Sequence, residues 1–136
     1  MKVKIFKITM IFLIILSSCS SSYKNEDFLG TYNLEGMCED MLSNGNTFPD
    51  ERYVVITKGI ESDLLIYINS ISDTAFKAFV SNDSLFIPSQ KWDNFDGTQA
   101  SFKGEGKITN GFLFLHYSAG GTFGNFECEC KGKKID

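Results

Sequence analysis

The stretch Ala100-Ser101-Phe102-Lys103-Gly104-Glu105-Gly106-Lys107-Ile108-Thr109-Asn110-Gly111-Phe112-Leu113-Phe114-Leu115-His116-Tyr117-Ser118 decides the fold. Phe102, Gly104, Gly106 and Ile108 alternate with Ser101, Lys103, Glu105 and Lys107, so one face is apolar or small and the other is polar. A period of two belongs to a strand, and one charged face marks it as half-buried and antiparallel. Thr109-Asn110-Gly111 turns the chain into the next strand, because asparagine and glycine tolerate the positive φ of a tight hairpin.

Working outward, similar short alternating runs punctuated by turn residues predict strands over 28–34, 52–58, 63–69, 74–80, 84–87, 100–108, 112–118 and 123–130. Ser81-Asn82-Asp83 is a second turn signal. No long 3.6-residue periodicity occurs after residue 28, although residues 35–42 suit one helical turn. The pattern predicts an all-β fold, an antiparallel meander of about eight strands forming a small barrel or a sandwich. A closed or nearly closed barrel is favoured, because pairing the first and last strands removes the exposed edges.

The N-terminus has a different grammar. Lys2, Lys4 and Lys7 precede nine residues, 8–16, that are almost wholly apolar, followed by Leu16-Ser17-Ser18-Cys19. Nine apolar residues are too few to remain as a membrane span, which needs about 20. The tetrapeptide resembles the lipobox of bacterial lipoproteins. That resemblance implies a signal peptide over 1–18, removed on export, and a lipid on Cys19 that holds the protein to a membrane. Residues 19–27 are polar and read as a flexible tether, with the barrel domain over 28–136. Ser20 after the cysteine implies the outer membrane, and Lys24-Asn25-Glu26-Asp27 faintly resembles signals that send lipoproteins to the cell surface.

Charge excludes some partners. The chain has 13 basic and 17 acidic residues; losing three lysines with the leader leaves 10 against 17, a net of minus seven. Nucleic acid is therefore not an expected partner, because binding phosphates requires a basic face. Attachment to an anionic membrane must come from lipid on Cys19 and not from charge.

Besides Cys19 there are Cys38, Cys128 and Cys130. An oxidising compartment favours a disulfide. Cys128 and Cys130 share one strand face with Cα atoms roughly 6.6 Å apart, near the upper limit for a bridge, so each is expected to be unpaired with the other. Cys38 is then expected to pair with Cys130 or Cys128, closing a loop of about 90 residues worth on the order of 4 to 5 kcal/mol. The remaining thiol reads as a small buried apolar group.

Several short pieces, taken in order, carry a wider resemblance: Gly30-Thr31-Tyr32, Cys38, Tyr53-Val54-Val55-Ile56-Thr57, Leu65-Ile66-Tyr67-Ile68-Asn69, Leu85-Phe86-Ile87-Pro88-Ser89-Gln90, Gly104-Glu105-Gly106, Leu115-His116-Tyr117 and a late cysteine before Lys131-Gly132-Lys133. This order and spacing is similar to small, mostly uncharacterised lipoproteins of Bacteroidota. The resemblance implies a lipocalin-like all-β domain and no particular activity. Gly30-Thr31-Tyr32 also resembles the Gly-x-Trp opening of lipocalins, with tyrosine at the tryptophan position.

Catalytic signals are weak, and the protein is not expected to be an enzyme. His116, the single histidine, sits between Leu115 and Tyr117 in a strand, and no Gly-x-Ser-x-Gly elbow occurs. Glu127 and Glu129 share an outer face opposite Phe126, Cys128 and Cys130. Gly120-Gly121 and Gly124 lack the lysine and helix of a phosphate loop. The segment 90–97 has more chemical character: Trp92 and Phe95 can stack on a ring or a partner, with Asp93, Asn94 and Asp96 as hydrogen-bonding neighbours. The same aromatics can instead cap the barrel. Its acids do not have the spacing of a calcium loop, and neither metal nor cofactor is expected.

Binding is thus the expected function. An eight-stranded barrel can just hold one small hydrophobic ligand, and the phenylalanines, eleven of the chain's thirteen lying beyond the leader, either line such a cavity or fill the core. The alternative is a structural or protein-interaction module of the envelope, acting through the loop around Trp92.

Overall fold

Eight antiparallel strands follow one another in chain order around a closed barrel, β1 pairing with both β2 and β8. The computed structural model describes residues 23–61, 63–69, 71–72, 74–93, 96–122 and 124–136. The expected leader, Cys19 and Phe95 lie outside the described residues. A single helical turn, α1 (Asn25–Phe28), precedes β1 (Gly30–Asp40), β2 (Asn46–Lys58), β3 (Leu64–Ile68), β4 (Phe76–Ser81), β5 (Ser84–Asp93), β6 (Gln99–Thr109), β7 (Phe112–Gly121) and β8 (Gly124–Lys133).

The hairpin that decided the fold forms as read. Gly104 lies opposite Tyr117 and Gly106 opposite Leu115, while Asn110 and Gly111 take φ values of 52° and 79°. Asn82 and Asp83 repeat the left-handed pair at the β4–β5 turn. Closure across β1 and β8 is tight. A Cβ at Gly36 would collide with the Glu129 carbonyl, and one at Gly132 with the Asn33 carbonyl. Only glycine permits this approach at both points of the seam.

Three expected boundaries are corrected. Phe28 ends α1 instead of opening the first strand, which starts at Gly30 with φ of 138°, a conformation suited to glycine. Residues 35–40 are strand, not a helical turn, because β1 pairs residue by residue with β2 from Gly30 to Asp40 and with β8 from Glu35 to Asp40. Partners on both sides override a weak local preference. Gln90 to Asp93, read as the start of a loop, belongs to β5, past a register shift between Ile87 and Gln90 that accommodates Pro88. There the Gln90 side chain acts as a substitute rung. Its Oε1 accepts from Lys77 N–H at 2.8 Å and its Nε2 donates to the Lys77 carbonyl at 2.8 Å, extending the short β4–β5 pairing.

The barrel interior is full of side chains. Leu34, Val54, Ile56, Ile66, Leu85, Leu113 and Leu115 are buried, and so are Phe76 and Phe102, which stack 4.4 Å apart. Among the phenylalanines, Phe28, Phe76 and Phe102 are core residues, whereas Phe48, Phe79, Phe86 and Phe114 are exposed on the outside or the rim. Phe28 closes the end where β1 begins, with Tyr23 packed edge-on against it. The Tyr32 hydroxyl donates to the Phe28 carbonyl at 3.0 Å. Asp136 reaches the same end: Thr31 N–H and Oγ1 each donate to its carboxylate at 2.6 Å. The other end, where β1 finishes and β2 begins, is the mouth.

Candidate functional site at the barrel mouth

Strand β2 begins with polar and exposed residues, yet its alternation places Asp50 and Arg52 on the same face as Val54 and Ile56, which is the barrel interior. Asp50 lies opposite Gly36 of β1, and Gly36 lies opposite Cys130 of β8. With no side chain at Gly36, Asp50 and Cys130 reach each other across the seam: the Cys130 thiol donates to Asp50 Oδ2 at 3.4 Å.

Asp50 is the hub. Its Oδ2 also accepts from the Tyr117 hydroxyl at 2.6 Å and from Arg52 Nε at 3.1 Å, while its Oδ1 pairs with Arg52 Nη2 at 2.7 Å. Arg52 Nε is shared with the Tyr117 oxygen at 3.1 Å, and Nη1 donates to the Asn69 carbonyl at 3.4 Å. The Asp50 side chain is 5% exposed and that of Arg52 20%, so the pair bridges the interior and the solvent-facing cleft. A buried acid is tolerable here because four donors surround it.

The environment sets the protonation of its neighbours. Burial first, and then the hydrogen bond to Asp50, push the Tyr117 hydroxyl well above its ordinary value, against the opposing pull of Arg52. Burial, reinforced by the negative Asp50, pushes the Cys130 thiol up to about 12. Cys130 is therefore a protonated donor at neutral pH and not a reactive thiolate. Burial works against the charge of Arg52, but its bonds to Tyr117 and Asp50 outweigh that and raise it.

Cys38 and Cys128 form the disulfide, with Cα atoms 4.0 Å apart and a sequence separation of 90. Register chooses the partner: Cys38 stands directly opposite Cys128, whereas Cys130 faces Gly36. Of the two partners open from sequence, Cys130 is corrected to the free and buried one. Both bridge sulfurs and an Asp50 oxygen lie within 4.8 Å of one another, a grouping that has the look of a metal site. Sulfurs bonded to each other offer no thiolate charge, and Arg52 already occupies the carboxylate, so this grouping is a poor cation trap.

Above the disulfide lies a cleft of about 190 Å³, walled by Phe48, Ile71, Ala119 and Phe126 and floored by Arg52 and Tyr117. Phe48 and Phe126 meet edge to face with centroids 5.5 Å apart. Met41 and Leu42, 54% and 69% exposed, add apolar surface at the β1–β2 turn. A broader depression of about 630 Å³ lies on the outer sheet surface among Glu35, Met37, Glu105, Phe114 and His116. Its lining is mostly outward residues, with buried Leu115 and Cys130 between them, and Asp50, Arg52 and Tyr117 do not line it.

Of the residues singled out in the 90–97 segment, the described ones, Trp92, Asp93 and Asp96, do not converge. Trp92 faces inward and packs edge-on against Phe76 at 5.3 Å, continuing an aromatic row through Phe102 to Tyr117. Asp93 is exposed and accepts from Gln99 Nε2 at 3.2 Å. Asp96 accepts from Thr98 N–H and Oγ1, and these bonds lower its pKa. His116 is an outer-face residue whose Nε2 lies 2.9 Å from Glu127 Oε1.

Sequence reading passed over Asp50, Arg52 and Tyr117. The parity of Phe48, Asp50, Arg52, Val54 and Ile56 was the available signal, since a charged pair in phase with a core face is unusual. No family model, curated protein or solved structure matches the chain.

Proposed function

We propose that the protein is a lipid-anchored lipoprotein of the outer envelope that binds a small, mainly apolar ligand at the mouth of its lipocalin-like barrel. The observation that carries this reading is the cleft of about 190 Å³ over the Arg52–Tyr117 floor, at the mouth of a barrel whose described core residues pack against one another. Pockets that enclose a whole drug-sized ligand measure about 300–1,000 Å³. The cleft therefore suits a compact molecule or the apolar end of a larger one. Buried polar atoms beside apolar walls fix the orientation of such a ligand.

The architecture also supports the anchored reading. Tyr23, the described residue nearest Cys19, packs at the closed end. A lipid on Cys19 then sets the closed end towards the membrane and the mouth away from it. The proposed role is binding: Asp50, Tyr117 and Cys130 hold one another in place beneath the cleft and present Arg52 to it.

Native mass spectrometry of the lipoprotein purified from its own host tests this reading. A co-purifying small molecule that is lost on Phe126→Ala substitution supports it. Repeated recovery of empty protein in complex with a protein partner would replace it with an interaction module.

A further inference from the structure

The mouth's chemistry specifies more than apolar character. Arg52 has five N–H groups, and its contacts use Nε, one N–H of Nη1 and one of Nη2. Two N–H groups thus have no acceptor among the described residues, on a side chain that lines the cleft. The formal charge of Arg52 is meanwhile matched by Asp50 at 2.7 Å, so the pair is neutral as a unit.

We infer that the ligand presents an uncharged hydrogen-bond acceptor, a carbonyl or ether-type oxygen on an apolar or aromatic body, to the free N–H groups of Arg52. This inference rests on the proposed binding at the mouth. Three features point the same way. The spare donors require an acceptor when a ligand displaces water, since an unmet buried donor is costly. A carboxylate ligand is disfavoured, because Asp50 already neutralises the guanidinium and a second anion would lie close to it unpaired. The body must be compact and apolar to lie between Phe48, Phe126 and Ile71.

Three one-ring probes isolate these features: acetophenone has a neutral carbonyl, ethylbenzene lacks the acceptor, and benzoate carries a charge. Each is titrated by protein-observed NMR into the mature chain carrying Cys19→Ser, which needs no detergent. The resonances followed are those of Phe48, Phe126 and the Arg52 side chain. Acetophenone is expected to bind at least tenfold more tightly than ethylbenzene and than benzoate, because a hydrogen bond to a charged donor contributes strongly. Arg52→Lys, which keeps the charge but not the planar fork, is expected to shrink the preference for acetophenone over ethylbenzene, both measured on that variant, to under threefold. Should Arg52→Lys fold poorly, Asp50→Asn with Arg52→Gln supplies a neutral replacement with the same expectation. Equal binding of acetophenone and ethylbenzene overturns the acceptor inference and leaves mouth binding standing. Tighter binding of benzoate overturns the neutral assignment. If no probe moves the mouth resonances, the proposed function itself falls.

Discussion

The two ends of this barrel are closed by different physics. At the end where β1 begins, Phe28, Leu34, Ile56, Leu64, Leu85 and Leu113 are buried and uniformly apolar, and α1 lies across the opening. At the mouth, closure is achieved by a disulfide, an ion pair and a bifurcated hydrogen bond: Cys38–Cys128, Asp50–Arg52, and Arg52 Nε shared between Asp50 and Tyr117. Apolar packing is non-directional and leaves nothing to recognise a ligand. The polar closure is directional, and it leaves donors beside a cleft. A small barrel can thus place its stability at one end and its chemistry at the other.

The largest effect is expected at the mouth. Replacing Cys38 and Cys128 together with serine removes a bridge spanning 90 residues, and a loss of about 4 to 5 kcal/mol is expected from chain entropy. Urea unfolding checks it; a loss under about 1 kcal/mol would mean that strand pairing alone holds the seam. Next comes the closed end, where Phe28→Ala is expected to cost about 3 to 4 kcal/mol through lost burial and a residual cavity. The same variant should leave acetophenone affinity at the mouth within twofold, and a larger change would show that the two ends are coupled.

Asp50→Ala ranks third, at about 2 to 3 kcal/mol. This is less than the ~3–5 kcal/mol of a fully buried broken pair, because Arg52 keeps a fifth of its surface in water. Adding Arg52→Leu to Asp50→Ala is expected to restore part of the loss, since no unpaired charge remains. If the double variant is less stable than Asp50→Ala alone, the ion pair is not what Asp50 holds in place.

The smallest effect belongs to the latch at the closed end. Hydrogen bonds from Thr31 lower the Asp136 pKa in the folded protein. A lowered folded value means that the latch is fully formed above the ordinary aspartate pKa of about 3.9 and is lost as pH falls through the lower folded value. The urea midpoint of the intact protein should therefore drop below about pH 4 more steeply than that of Asp136→Asn. Parallel slopes for the two proteins would remove the latch from the account.

Much of the fold was readable because its signals are local. Phe102 to Ile108 alternate strictly, and Asn110-Gly111 supplies the backbone freedom that its turn uses. Asn44-Gly45 carried the same signature and takes φ values of 55° and 76°, so residues 35–42 could have been read as a strand running into a hairpin. The misread pieces were those where a distant partner decided the outcome. Gly36 to Asp40 has no strong strand character of its own but is paired on both sides. Trp92 looked like a loop aromatic until the register shift at Pro88 carried β5 onward and turned the ring inward onto Phe76. Asp50 and Arg52 drew no attention in the sequence, because charged residues are usually on the surface.

By itself, then, the sequence determined the number and order of the strands, the core face of those that alternate strictly, such as β6, and turns where the chain goes left-handed. These depend on residues two to four apart. Only the tertiary structure decided that Cys38 meets Cys128 and not Cys130, and that Asp50, Arg52, Tyr117 and Cys130 form one cluster. Tyr117 is 67 residues from Asp50 and Cys130 is 80 away, and the bare backbone at Gly36 is what lets the thiol reach the carboxylate. Local periodicity carries no information about such register, which is set by how the whole sheet coils and closes.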